Sequence, residues 1–140
     1  MNEILDVSSL EKAIKSLDEA LKELKKDNRS FIKDSVVQRF EYTYELCHKF
    51  FKRYLKIAAP SMQDLDEMPF QSLIRTANKM GMFLSDLEKW KNYRNARNIT
   101  SHTYDSEKSE IIVAIAPEFY EEAVYFLNKL KTKLEEIGCQ

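Results

Sequence analysis

Hydrophobic residues recur at helical spacing along most of the chain. The first set follows Ser8, and Glu11 stands three residues later, which is the spacing of a capping box at a helix start. A charged run that ends at Asn28 closes the segment. The pattern predicts a helix between these limits. Its apolar face comprises Leu10, Ile14, Leu17, Leu21 and Leu24.

A second, longer helix is predicted from Ser30 to Ala58, where Pro60 stops it. Its apolar positions cover about half of the circumference, more than the roughly 100° of an ordinary surface helix. This width predicts either a central place in a bundle or a subunit interface. His48, at the edge of the face, is interpreted as a packed or snorkelling histidine rather than a functional one. The apolar positions are Ile32, Val36, Val37, Phe40, Tyr44, Leu46, Cys47, Phe50, Phe51, Tyr54, Leu55 and Ile57.

A short helix and a longer one are predicted next. The short helix begins at Pro69 and ends at Gly81. Ser85 and Glu88 form a second capping box, which opens the following helix. The inward face of that helix is predicted to turn from apolar to cationic along its length, so that Arg94 and Arg97 point toward a groove beside the core or toward another subunit. This face comprises Leu87, Trp90, Arg94, Arg97 and Ser101.

The C-terminal part begins with a polar break at residues 105–108. A short helical turn or a brief strand then carries Ile111, Ile112 and Ile115, and Pro117 is predicted to open the last helix. Together the elements predict an all-α fold, an antiparallel up-and-down bundle of four main helices plus one or two short ones. Residues 1–140 are predicted to form a single domain.

The composition of the chain excludes several classes of fold and of function. Two glycines and three prolines among 140 residues disfavour an all-β fold. The net charge of −1 gives no overall attraction to nucleic acid, so any RNA contact must be local. Cys47 and Cys139 lie too far apart for a zinc motif and are expected to be free. No apolar run is long enough to cross a membrane and no leader is evident, so a cytoplasmic location is expected.

The side chains that could take part in catalysis lie near the end of the fourth predicted helix. Arg97 offers a planar fork that suits phosphate oxygens, and His102 can exchange a proton near neutral pH. RNA supplies its own nucleophile, the 2′-hydroxyl, so these two groups suffice for cleavage without a metal. On one continuous helix they would diverge by about 140°. They therefore meet only if the helix ends near Ser101, or across a two-fold axis between two copies.

A purely structural interpretation also fits the residues. Cations are favoured in the last turn of a helix, where they interact with free carbonyls and with the helix dipole. Arg94, Arg97 and His102 could serve only this purpose, with Tyr104 packed nearby. The residues alone leave both interpretations open.

The motif RNITSH at residues 97–102 resembles the Arg-x4–6-His signature of the HEPN superfamily. Residues 94–105 and residues 34–46 are similar, more specifically, to its branch of nucleotidyltransferase substrate-binding proteins, the HepT-like partners of minimal nucleotidyltransferases. The resemblance implies an all-α bundle that is usually a homodimer and associates with such a transferase. In many pairs the helical protein is a metal-independent endoribonuclease toxin.

The resemblance also implies roles for particular residues. Arg97 would clamp the scissile phosphate, His102 would transfer the proton, and Asn98 would orient the site, with Arg94 as a further phosphate-binding cation. Tyr104 would accept AMP, which neutralises the toxin. The chain itself would need no cofactor, since ATP is used by the transferase. Two alternatives remain, a non-catalytic subunit that binds nucleotide for the transferase, and a structural bundle whose Tyr104 segment docks a partner.

Overall fold

The structure, a computed structural model, describes residues 5–62, 64–99 and 106–138. Within these ranges every element is helical and no strand occurs, so the all-α prediction is confirmed. The elements are α1 (Ser8–Lys26), α2 (Ser30–Ala58), a short 3₁₀ helix (Leu65–Glu67), α3 (Phe70–Lys79), α4 (Leu87–Asn98) and α5 (Ser106–Gly138).

Helix α2 lies at the centre of the molecule. It packs against α1, α4, α5 and the 3₁₀ helix, and these neighbours cover its wide apolar face. Because helices of the same chain cover the wide apolar face of α2, no second subunit is needed to bury that face. Its apolar side chains without exposed surface are Val36, Val37, Phe40, Cys47, Phe51 and Leu55.

The contacts between the helices fix their relative directions. Arg39 on α2 donates to the carbonyl of Ser16 on α1 at 2.7 Å, and Thr43 donates to the carbonyl of Ala13 at 3.4 Å. Later residues of α2 thus meet earlier residues of α1, and the two helices run in opposite directions. The up-and-down arrangement of four main helices and the single domain over residues 1–140 remain predictions.

Both predicted capping boxes are wrong, because a stronger acceptor lies close to each serine. The backbone N–H and the hydroxyl of Ser8 both donate to the carboxylate of Asp6, at 2.9 and 2.7 Å. Glu11 instead forms an ion pair with Lys131 on α5. At the start of α4 the N-cap is Asp86, whose side chain accepts from the N–H of Lys89 at 3.1 Å.

The end of α3 follows the prediction. Gly81 has φ 71°, the left-handed conformation that favours glycine. The N–H of Met82 donates to the carbonyl of Ala77 at 2.9 Å, and that of Gly81 donates to Asn78 at 3.1 Å. These two bonds form a Schellman motif, which satisfies the last carbonyls of the helix.

The C-terminal part differs from the prediction. Helix α5 is continuous from Ser106 to Gly138, and Pro117 lies inside it rather than at its start. Neither the separate turn nor the brief strand occurs. The buried residues Ile112, Ala116 and Phe119 keep helical spacing through Pro117. Burial of this uninterrupted apolar stripe offsets the hydrogen bond that proline cannot donate.

No helix in the described ranges combines the length and the apolar character needed to cross a membrane.

Candidate functional site

Helix α4 places its arginines beside its buried face rather than on it. The buried residues are Trp90, Tyr93 and Ala96, whereas Arg94 is exposed and the Arg97 side chain is 31% exposed. The inward stripe is therefore continued by Tyr93 and Ala96 and not, as predicted, by the arginines, which lie beside the core, as predicted. Burying the ring of Tyr93 is favourable, whereas burying a guanidinium carries a large desolvation cost.

Arg97 is joined to α2 by two carboxylates. Its Nε donates to Oε2 of Glu45 at 2.6 Å, and a terminal nitrogen of the guanidinium contacts the same oxygen. Glu41 lies 3.6 Å from that nitrogen. The two segments of the family resemblance, residues 34–46 and residues 94–105, thus meet at this ion pair. Neither glutamate was among the site residues predicted from the sequence, although their spacing of four residues on one face of α2 was an available signal.

A groove of ≈ 390 Å³ opens beside this ion pair. Its floor is aromatic, with the ring centroids of Tyr44 and His48 4.5 Å apart. The remaining lining residues are charged. They are Glu45, Lys49, Lys52 and Arg97. The groove is therefore an apolar depression with charged groups at its rim.

Burial keeps the floor of the groove neutral. It raises the pKa of the Tyr44 hydroxyl, an effect that Arg94 and Arg97 partly oppose. Burial also lowers the pKa of His48 to about 3, with smaller contributions from Lys52 and Arg94. Nε2 of His48 has no hydrogen-bond partner among the described residues. The imidazole is thus uncharged near neutral pH, and the packed role predicted for His48 is confirmed.

Arg94 contacts a different helix from the one that Arg97 contacts. Its guanidinium carbon is 4.6 Å from the centre of the Phe70 ring on α3, a cation–π contact. Phe70 stacks in turn on His48, at 6.0 Å between ring centroids. Asn98 is exposed and is the last residue of α4. The structure thus brings Arg97 to the groove, and places Arg94 one aromatic ring away from its floor.

Ser101, His102 and Tyr104 lie outside the described residues, so the meeting of His102 with Arg97 stays a prediction. Helix α4 ends at Asn98, before His102 is reached. The divergence of about 140° expected on one continuous helix therefore does not apply to this pair. In the described part of the chain, no group of three or more His, Cys, Asp or Glu residues has the arrangement of a metal site.

A family model described as nucleotidyltransferase substrate binding protein like matches residues 5–132. The chain belongs to this family. This confirms the branch that the motifs at residues 34–46 and 94–105 indicated. The chain is 32% identical over 142 residues to the "Probable ribonuclease HepT" of Haemophilus influenzae (strain ATCC 51907 / DSM 11121 / KW20 / Rd). The similarity covers 95% of this chain and 97% of that protein.

Two solved structures share the fold of this family member. One is HI0074 from Haemophilus influenzae, described as having the fold of a substrate binding domain of a nucleotidyltransferase. It has a TM-score of 0.84 and 31% identity, over 90% of this chain and 99% of that one. The other is ttk003001694 from Thermus thermophilus, with a TM-score of 0.70 and 27% identity, over 86% of this chain and 98% of that one.

Proposed function

We propose that this protein is a metal-independent endoribonuclease toxin that a minimal nucleotidyltransferase neutralises by adenylylating Tyr104. The observation that carries the proposal is the 32% identity, over 95% of the chain, to a protein named as a probable ribonuclease. The placement of Arg97 at the rim of a groove, in the last turn of α4, is consistent with contact to a phosphate. The toxin would act in the cytoplasm, where RNA and ATP occur.

The proposed reaction needs only the groups that RNA and the chain supply. The 2′-oxygen attacks the adjacent phosphorus, and the bond from phosphorus to the 5′-oxygen breaks. His102 would take the proton of the 2′-hydroxyl and deliver it to the departing 5′-oxygen, and Arg97 would stabilise the charge on the phosphorane oxygens. Arg94 and Asn98 would help to bind and orient the phosphate. The products would carry a 2′,3′-cyclic phosphate and a 5′-hydroxyl.

The test is RNA cleavage by the purified protein in the presence of EDTA. We expect cleavage by the wild type, and a loss of about 10²-fold or more in each of the variants Arg97→Ala and His102→Ala. Analysis of the fragment ends should find the cyclic phosphate. The proposal fails if the wild type leaves RNA intact, or if both variants cleave as fast as the wild type.

The Tyr104 step is tested separately, because it needs the partner. After co-expression with a minimal nucleotidyltransferase, mass spectrometry should detect AMP on Tyr104 and the modified protein should cleave RNA more slowly. Tyr104→Phe should stay unmodified and active. An unmodified wild-type chain after co-expression would argue against this step and leave the ribonuclease proposal intact.

A second candidate function is a non-catalytic subunit that binds nucleotide or another anionic substrate for the transferase. The family description and the description of HI0074, both of which name substrate binding, favour it. Calorimetry with nucleotides should then detect binding that Arg97→Ala abolishes, without any RNA cleavage. A homodimer whose composite cleft contains two equivalent sites is compatible with either function. In the third alternative, a purely structural bundle, neither cleavage nor nucleotide binding would occur.

A further inference from the structure

The exposed face of α2 changes the sign of its charge in the middle of the helix. Glu41 and Glu45 precede this point, and Lys49, Lys52 and Lys56 follow it. The two glutamates are both engaged with Arg97. The lysines lead away from Arg97 toward the C-terminal end of α2.

Two of these lysines carry positive charge that no carboxylate among the described residues offsets. Lys56 forms an ion pair with Asp66 at 2.9 Å, so its charge is compensated. Lys52 donates only to the backbone carbonyl of Asp66, at 3.3 Å. Lys49 makes no hydrogen bond or ion pair with any residue that the structure describes. Glu45 stands four residues before Lys49, a favourable spacing for an ion pair, yet its carboxylate contacts Arg97 instead.

The same groove contains both lysines, the aromatic floor and Arg97. Single-stranded nucleic acids are bound by grooves that combine cations for the phosphates with aromatic rings for the bases. The floor of Tyr44 and His48 remains uncharged because burial shifts both of their pKa values away from neutrality. From Glu45 to Lys52 the helix advances by about 10 Å, enough for more than one nucleotide.

We propose that this groove is a binding subsite for single-stranded RNA, in which Lys49 and Lys52 bind phosphates adjacent to the one held by Arg97. The inference rests on the proposed ribonuclease function and adds a direction to it. The RNA runs from Arg97 along the C-terminal half of α2, and away from the carboxylate of Glu41.

The test measures binding of an eight-nucleotide single-stranded RNA by fluorescence anisotropy over a range of salt concentrations. The full chain carries His102→Ala, which prevents cleavage during the measurement. Lys49→Ala/Lys52→Ala is compared with Lys12→Ala/Lys15→Ala, which removes the same charge from exposed positions on α1. For the groove variant we expect affinity to fall by about tenfold, and the slope of log K against log salt to decrease by about 1.4. The α1 variant should bind as its parent does.

Each outcome decides the inference. Equal losses in the two double variants would mean that only overall charge matters, and the subsite would be rejected. An unchanged affinity in the groove variant, or no RNA binding by the parent, would reject it as well. Cleavage of a dinucleotide by the chain with wild-type His102 reports on the ribonuclease proposal alone, because a dinucleotide offers one phosphate.

Discussion

At the scale of single residues, the contact between Arg97 and Glu45 defines the site. The guanidinium directs its Nε and a terminal nitrogen to one carboxylate oxygen, so its orientation is held from α2. The side chains are 31% and 51% exposed, and ion pairs at such positions add little to stability. The effect of Glu45 should therefore appear in phosphate binding rather than in folding.

We expect Glu45→Gln to strengthen the binding of short RNA several-fold. The amide keeps the shape and the acceptor oxygen for Nε of Arg97, and removes the negative charge that competes with a phosphate. The free energy of unfolding should change by less than about 1 kcal/mol. Anisotropy titrations in the His102→Ala background measure the first effect, and urea unfolding measures the second. The control is Glu121→Gln, at an exposed position on α5. An equal gain in RNA affinity in this variant would contradict a local role for Glu45.

His48 should make the protein less stable in mild acid. Its pKa falls from 6.5 to about 3 on folding, so between these values the unfolded chain binds a proton that the folded protein excludes. Stability from this group is fully present above about pH 6.5. It should be lost as the pH falls, by at most about 1.4 kcal/mol per pH unit.

His48→Gln removes the titrating group and leaves the carboxylates unchanged. Urea unfolding of both proteins over roughly pH 7.5 to pH 5 should show the stability difference shifting in favour of the variant as the pH falls. A difference that stays constant over this range would contradict a buried neutral imidazole.

The sequence could reveal these residues only in part. Arg97, Arg94 and Asn98 stand out in the motif, but the contact from Arg97 to Glu45 joins positions that are far apart in the chain. Such a contact depends on how α2 and α4 pack. The error at α4 has a similar origin, because helical spacing from Trp90 allows either Tyr93 or Arg94 as the next inward residue. Packing of α4 against α2 and α5 buries the ring of Tyr93 and leaves Arg94 exposed.

At the scale of elements, a buried carboxylate on α5 holds the start of α4. Glu122 is fully buried and accepts from the N–H of Leu84 at 2.7 Å and from that of Ser85 at 3.1 Å. These donors lie in the connection that leads into α4. The helix with Arg94 and Arg97 is thereby fixed to the middle of α5.

We expect Glu122→Ala to lower the free energy of unfolding by about 2–4 kcal/mol, because it leaves two backbone donors without an acceptor and creates a cavity in the core. Glu122→Gln should cost less, because its amide oxygen still accepts one of the two bonds. Thermal or urea unfolding measures both. The neighbouring Glu121→Ala, at an exposed position, should be nearly neutral, and an equal loss there would argue against the buried contact.

Single residues in the sequence correctly predicted the ends of some helices and gave wrong predictions at others. Gly81 and Pro60 act through their own backbone geometry, so the ends of α3 and α2 are readable from the sequence. Pro117 is a local signal that longer-range packing overrides, since Ile112 and Phe119 belong to one buried stripe. The two capping boxes failed for a related reason, because Asp6, Asp86 and Glu122 provide acceptors that the motif does not include.

At the scale of the whole molecule, the site is completed either by one chain or by two. The family resemblance implies a homodimer, and the proposed cleft would then combine Arg97 of one copy with His102 of the other. A two-fold axis would generate two such sites. This arrangement has a measurable signature.

We expect inactive variants to complement each other. In a heterodimer of Arg97→Ala and His102→Ala, one composite site contains both substitutions and the other contains neither. By the two-fold symmetry of the pair, the purified heterodimer should therefore recover about half of the wild-type RNA cleavage. Co-expression with different tags, followed by cleavage assays on the purified heterodimer, tests this. Heterodimers that stay inactive would indicate that both groups act within one chain.

The anchoring of α4 by Glu122 also has a consequence for protein synthesis. A ribosome releases residues 87–98 well before position 122, so on the nascent chain the arginine-bearing helix has no acceptor for the connection that starts it. The anchor forms only when most of α5 has emerged and folded back. The helix that carries Arg94 and Arg97 would thus reach its finished geometry only after the middle of α5 has left the ribosome.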